Sequence, residues 1–348
     1  MPAAVGDTQR VTYRSPLLDH PGAVPADEPD AAVAWHYGDP MREQRALATS
    51  AGWVDRSHRG VLTVSGDDRL TWLHSLTSQH LAQLPDGAAS EALVLDPHGH
   101  VEHHVQLADV GGTVTLDVEP GTVTALAAYL DSMRFWSKVE VTDESDRVAV
   151  LSIVGPETAA AIGAVGAVPP SAGRAVAFDG GLVRRMSWPG VDAADLLIER
   201  SRVAGVVGRL TDAGVEAAGS WAFEALRVAD RRPRLGFETD HRTIPHELGW
   251  IGPAVHLDKG CYRGQETVAR VQNLGRPPRR MVLVHLDGSG NRLPKHGAAV
   301  EVGAREVGFV GTAVWHHELG PVALAVIKRN VADDAVIDIG GIPAAIDA

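Results

Sequence analysis

Residues 52–76 read GWVDRSHRGVLTVSGDDRLTWLHSL. Val61-Leu62-Thr63-Val64 is apolar and β-branched, the composition of a short strand. Gly66-Asp67-Asp68 breaks that run, and Arg69 to Leu76 then sets Leu70, Leu73 and Leu76 on one helical face. The stretch is a strand that turns through a glycine into a helix, and the turn is repeated later. Val154-Gly155-Pro156-Glu157 echoes Val64-Ser65-Gly66-Asp67. Glu199-Arg200-Ser201-Arg202-Val203 stands before one helical pattern as Glu119-Pro120-Gly121-Thr122-Val123 stands before another. Such an echo predicts an α+β fold with two split β-α-β (ferredoxin-like) units in tandem.

The neighbouring segments fit this reading. Asp39-Pro40 opens a helix, with Asp as N-cap and Pro in the first turn, that runs towards a stop at Gly52. Strands are predicted at 91–95, 101–107, 113–118 and 138–142. A helix is predicted from Thr122 to Phe135, with Val123, Leu126, Ala127 and Leu130 inward. Beyond Pro277-Pro278 the helical period disappears. MVLVHL, AAVEV, EVGFVGTAVW, PVALAVI and AVIDI, divided by Gly, Pro and Asn turns, predict a small C-terminal antiparallel β-barrel or sandwich. The expected divisions are a leader at 1–35, α+β domains at 36–145 and 146–277, and the barrel at 278–348. The leader, rich in Pro, Asp and Ala, reads as an extended arm on the surface or a partly disordered segment.

Composition narrows the function. A chain of 348 residues, 45% hydrophobic and 22% charged, is an ordinary globular protein too long for one core. Its formal net charge of −12 opposes a phosphate backbone, so no direct nucleic-acid partner is expected. No run approaches the roughly 20 apolar residues that span a bilayer. The start, MPAAVGDTQRVTYRSP, has no apolar core of signal-peptide length. The single cysteine permits no intramolecular disulfide. A cytoplasmic protein without a membrane partner is expected.

That cysteine lies in KGCYRGQE, residues 259–266. Gly260 and Gly264 permit tight or left-handed backbone, and a helix from Gln265 to Asn273 would bury Val268 and Val271. Lys259, Arg263 and the following helix end would each favour a thiolate at Cys261. Residue chemistry alone leaves it open as a nucleophile, a soft-metal ligand, a redox handle or a buried packing residue.

The octapeptide resembles the signature K-G-C-aromatic-x-G-Q-E of the YgfZ family, folate-binding relatives of the glycine-cleavage T-protein, an aminomethyltransferase. Residues 52–76 are similar to that family's segment around D-x-S-x-x-G and V-x-G-x-D. FWSKVEV (135–141) is similar to its R-S-K-V-E-I strand, and Ala225-Leu226-Arg227 to its L-R helix. The resemblance covers the chain apart from the leader. It implies three domains around a central channel that binds tetrahydrofolate. It also implies a role in assembling or repairing iron–sulfur proteins, tRNA-modifying radical enzymes among them. Carried over, Cys261 is the working thiol and Lys259 its cation, within the motif residues Gly260, Tyr262, Gly264, Gln265 and Glu266. Trp221, Phe223 and Arg227 would border the folate channel. Cys261 would stand at the channel mouth, partly accessible.

Two departures from the aminomethyltransferase pattern bear on chemistry. Gly99-His100-Val101-Glu102-His103-His104 replaces G-x-I-x-D-D, which puts His104 where an acid assists at the folate nitrogen. A histidine carries no permanent negative charge, so the reading implies folate binding without the same transfer chemistry. Ala193-Ala194-Asp195 stands where the T-protein has its G-Y-E pterin segment. His98, His100 and His104 could share a strand face, yet no cysteine or nearby carboxylate completes a metal site, and none is expected. His316-His317 reads as a loop or strand-edge pair. Arg231-Arg232-Pro233-Arg234 reads as a solvated helix end that could attract a folate glutamate tail. One thiol cannot hold a four-iron cluster, so further cluster ligands would come from an iron–sulfur client protein. The alternatives are a folate-dependent one-carbon transferase or demethylase, and a folate-sensing module with an incidental thiol.

Overall fold

The computed structural model describes residues 13–186 and 192–347. The leader forms a hairpin of β1 (Val24–Pro25) and β2 (Ala34–His36) and passes into α1 (Pro40–Thr49). The Asp39 carboxylate caps α1, accepting from the Met41 and Arg42 N–H groups at 3.1 and 3.0 Å. After β3 (Gly52–Asp55) the first unit runs β4 (Gly60–Ser65), α2 (Arg69–Leu76), β5 (Ala88–Leu95), β6 (Val101–Val110), β7 (Thr113–Val118), α3 (Val123–Ser132) and β8 (Glu140–Asp143). The second unit repeats that order: β9 (Val148–Val154), α4 (Thr158–Ala164), β10 (Arg174–Phe178), β11 (Gly181–Arg185), β12 (Ala193–Glu199), α5 (Val203–Asp212) and β13 (Glu216–Ala218). The two echoes therefore mark equivalent strand-to-helix turns.

The units share one eleven-stranded sheet, ordered β13-β3-β9-β12-β11-β10-β5-β6-β7-β4-β8. They meet where Arg174 of β10 faces Ala88 of β5, and the strand order reads outward alike on both sides. The exception is β3, which precedes the first unit in sequence but lies between β9 and β13 of the second. Local pattern shows that a strand exists, not which distant strand it pairs with. Separate cores hold each unit: Leu62, Leu73, Leu116 and Leu126 in the first, and Trp53, Leu151, Leu196 and Leu210 in the second.

Beyond the sheet lie α6 (Ser220–Ala229) and α7 (Gln265–Leu274), followed by the expected barrel. Its strands are β14 (Arg279–Leu286), β15 (Ala299–Val302), β16 (Arg305–His316), β17 (Gly320–Lys328), β18 (Ile337–Ile339) and β19 (Pro343–Ile346). They close in the order β14-β17-β16-β15-β18-β19 around Val284, Val310, Ile327 and Ile339. The barrel meets the body of the protein at β16. A Cβ on Gly311 would stand 2.4 Å from Glu238 Oε1, so only glycine permits this approach.

Some expectations are corrected. The helix expected through Phe135 ends at Ser132, and Phe135 turns the chain with φ of 40°. Because β6 begins at Val101, His98 and His100 belong to the preceding turn and share no strand face with His104. The Asp96 carboxylate holds that turn, pairing with His100 Nδ1 at 2.9 Å. The described part of the leader is an ordered arm, and it contributes to the site.

Candidate functional site

One face of the sheet, α6 with the segment after it, and the leader enclose a cavity of two joined chambers. His104, Met186, Arg232 and Pro233 line both. The inner chamber has a free volume of about 70 Å³ and polar walls. The outer has about 420 Å³, within the range of small-molecule sites, and gains apolar wall from Leu248, Trp250 and Pro253.

The inner chamber is built from a buried ion network. Arg56, His58 and Arg59 come from the four-residue link between β3 and β4. Arg59 pairs with Asp117 of β7 and with Glu119, each at 2.5 Å. Glu119 also meets Arg234 at 2.8 Å, and Arg234 grips both oxygens of Asp30 at 2.7 and 2.6 Å. Asp30 arrives on the leader and pairs with His58 Nε2 at 2.8 Å. Burial alone would raise the Asp30 carboxyl, but hydrogen bonds from His58 and Arg234 outweigh it and hold the group well below its usual range. On the floor, Arg184 is fully buried between Asp117 at 2.5 Å and Asp195 at 2.8 Å. Arg56 has a longer contact with Asp195, 3.6 Å, and its guanidinium lies over the Phe223 ring at 4.5 Å. Burial and the neighbouring Arg59 lower the Arg56 pKa to about 10.

Phe223 and Arg227 of α6 stand in the wall of the inner chamber, being one helical turn apart. Trp221 does not. Two residues along a helix turn a side chain to the far side, and Trp221 stacks on Trp35 at 5.4 Å. Arg227 is itself tied down, bonding Glu224, Glu238 at 3.1 Å and Thr312 of β16 at 2.6 Å. Asp195, in the eroded pterin segment, remains a wall carboxylate compensated by Arg184. Arg234 is a buried part of the network, whereas Arg231 is half exposed and pairs with Asp347 near the C-terminus.

His104 occupies the junction of the chambers, and a carboxylate reaches it from the neighbouring strand. Glu91 Oε2 lies 2.8 Å from His104 Nε2. Burial would raise Glu91, but the bond from His104 lowers it overall, so an ionised carboxylate stands there. Trp250 packs beside the imidazole, with ring centroids 5.1 Å apart.

The octapeptide lies outside both chambers. Lys259 is buried, and its ammonium donates to the carbonyls of His74 and Thr77 at the C-terminus of α2. It thus caps that helix instead of facing Cys261, and desolvation lowers its pKa to about 8. Arg263 is likewise engaged, with Glu102 at 3.1 Å. Tyr262 is buried with Trp250 and Val268. Gly264 takes φ of 82°, and a Cβ there would stand 2.6 Å from the Asp96 carbonyl. Gln265 Nε2 donates to the Lys259 carbonyl at 3.3 Å. Gly260 and Glu266 are exposed, and so is Cys261. Lys259, Tyr262, Gly264 and Gln265 hold the loop in place while the thiol projects from it. Among the described residues, no group of three or more His, Cys, Asp or Glu is arranged to hold a metal, and no helix is long and apolar enough to cross a membrane.

Sequence reasoning did not anticipate Asp30, His58, Arg59, Glu91 or Glu119 as wall residues. The available signal was Arg56-Ser57-His58-Arg59, an unbroken polar link between two apolar strands, since such links carry function when a rigid scaffold positions them.

The doubled β-α-β sheet and the apposed barrel define a chain of the aminomethyltransferase-like architecture, with the two-chambered cavity enclosed by the sheet, α6 and the leader. The chain belongs to the family described as the GCVT N-terminal domain, whose model matches residues 22–259. It is 29% identical over 320 residues to an aminomethyltransferase of Rubrobacter xylanophilus, covering 88% of this chain and 84% of the relative. It is 27% identical over 314 residues to one from Nostoc sp., covering 84% and 80%. The aminomethyltransferase T of the Bartonella henselae glycine cleavage system superposes with a TM-score of 0.83, covering 95% of each chain at 19% identity. That likeness is one of fold.

Proposed function

We propose that the cavity binds a tetrahydrofolate and that the protein handles a one-carbon unit there, as a transferase of the aminomethyltransferase kind. The observation that carries this reading is the His104–Glu91 pair at the junction of the chambers. Of the two departures in the sequence, the lack of an acid at position 104 is offset by the Glu91 carboxylate beside His104, which supports this reading. The walls fit a folate in other respects. Trp250 and Phe223 offer surfaces against which a pterin or benzoyl ring can stack. Arg56 is a buried cation whose carboxylate contact among the described residues, with Asp195, is at 3.6 Å. His58 Nδ1 is buried without a hydrogen-bond partner among the described residues. When bound, the folate would supply the reduced nitrogens that carry the one-carbon unit. The chain's part is to exclude water, orient the ring and place the ionised Glu91 with His104 as the acid–base pair. Calorimetry with tetrahydrofolate tests the binding. Incubation with an aminomethyl-loaded lipoyl carrier protein, reading methylenetetrahydrofolate, tests the transfer. Binding without product in both wild type and Glu91→Gln would remove the transferase reading.

A second reading rests on a different observation. Cys261 is exposed and lines neither chamber, so a partner protein could reach it without entering the cavity. With KGCYRGQE around it, this supports a folate-dependent accessory factor for iron–sulfur client proteins, including those that modify tRNA. Cells lacking the protein and carrying Cys261→Ser would lose cluster-dependent tRNA modification on this reading. They would keep it on the first.

A further inference from the structure

The network in the inner chamber leaves one buried group unused. The His58 side chain is 8% exposed, it lines the chamber, and its Nδ1 has no hydrogen-bond partner among the described residues. Its other nitrogen is fixed. Asp30 is ionised, and a carboxylate only accepts, so His58 Nε2 is the donor across the 2.8 Å contact. In the neutral ring the proton then resides on Nε2, and Nδ1 carries a lone pair. Asp30 is itself immobilised by both nitrogens of Arg234, which Glu119 holds from the opposite side. A buried acceptor held this firmly is costly unless something fills it.

We propose that the Asp30–His58 dyad is a specificity element, presenting a tautomer-locked acceptor that selects cavity ligands carrying an N–H or O–H donor. This deepens and rests on the folate reading. The reduced pterin of tetrahydrofolate has N–H groups at ring positions where fully oxidised folic acid has only lone pairs. Set against one of those positions, the acceptor meets an N–H in the reduced ring and only a lone pair in the oxidised one, whose remaining donors lie elsewhere on the ring. His58 therefore makes the site choose the reduced cofactor. The leader has a function in this, since Asp30 sets the tautomer. A site built to hydrogen-bond its ligand rejects an analogue without the donor more strongly than an apolar wall rejects a change of size.

Two measurements test this. Long-range ¹H–¹⁵N spectra of the full chain labelled with ¹⁵N-histidine read the tautomer without any variant. The His58 ring is expected with Nε2 protonated and Nδ1 bare at neutral pH, and a proton on Nδ1 would overturn the proposal. Calorimetry under anaerobic conditions then compares tetrahydrofolate with folic acid. The wild type should favour the reduced form by about 10- to 100-fold, the scale of one buried group left unpaired. His58→Gln, whose amide can donate or accept, should bring that ratio towards one. An unchanged ratio in a folded variant, or equal binding of both folates by the wild type, overturns the selection while the folate reading survives. Binding of neither folate by the wild type overturns the folate reading and, with it, the selection. Should His58→Gln not fold, the wild-type ratio and tautomer decide.

Discussion

Within the octapeptide, sequence proximity hides a division of labour. Lys259 and Cys261 are two residues apart and both chemically capable, yet one is buried and the other exposed. Cys261→Ser should leave stability within about 0.5 kcal/mol of wild type, as exposed substitutions do. The thiol should also react with an alkylating agent in the folded state, and a thiol that reacts only after denaturation would contradict the exposed loop. Lys259→Ala removes the donor for two carbonyls at the end of α2. It should cost about 1–3 kcal/mol in urea unfolding, the scale for buried groups left unpaired. An unaltered midpoint would mean that the lysine does not cap α2. Arg227 illustrates the same distinction inside the cavity. The family resemblance puts it beside a folate channel, and it also joins α6 to Glu238 and β16. Weakened binding in Arg227→Ala is therefore informative only where unfolding curves show the variant intact.

At the scale of elements, the chain was legible wherever local pattern determines structure. The Gly66 turn into α2, the Asp39 cap of α1 and the alternation of the C-terminal strands each follow from a few neighbouring residues. Other features depend on residues far apart in sequence. No local pattern places β3 beside β9 or decides whether the Trp221 or the Phe223 side of α6 meets the cavity. For the same reason Arg231 and Arg234, neighbours in one basic run, have opposite environments. The junction of barrel and body is another such contact. Gly311 lets β16 approach until the Thr312 N–H donates to the Glu238 carboxylate at 2.8 Å. Gly311→Ala places a methyl carbon against that buried carboxylate and should cost about 1–3 kcal/mol, the range for overpacking. Chemical unfolding checks this. A neutral result would show that the barrel can shift away from Glu238 without loss.

For the whole molecule, the cavity network is what ties the leader, both units of the sheet and the segment after α6 together, and its charges make that tie sensitive to pH. Asp30, Glu91, Asp117 and Glu119 are all held below their ordinary pKa, because bonds to Arg or His partners outweigh the burial that would raise them. The sign of the linkage follows. A carboxyl with a lowered pKa in the folded state binds its proton more readily when unfolded, so acid favours unfolding. The stabilisation is complete above the unfolded value, 3.8 for Asp30, and is lost as pH falls below it towards the folded value. Buried His103, whose pKa desolvation lowers to about 4, adds a loss that begins as pH falls below its unfolded value of 6.5. Urea midpoints should therefore decline gently between pH 7 and 5 and then fall steeply from about pH 4. Asp30→Asn separates the leader's share. At pH 7 it should cost about 3–5 kcal/mol, since Arg234 and His58 lose a buried partner. Its further loss between pH 5 and pH 3 should be smaller than that of the wild type, because one linked carboxylate is gone. Equal slopes for the two proteins would mean that Asp30 is not docked against Arg234 in solution, and the leader would then be no part of the cavity wall.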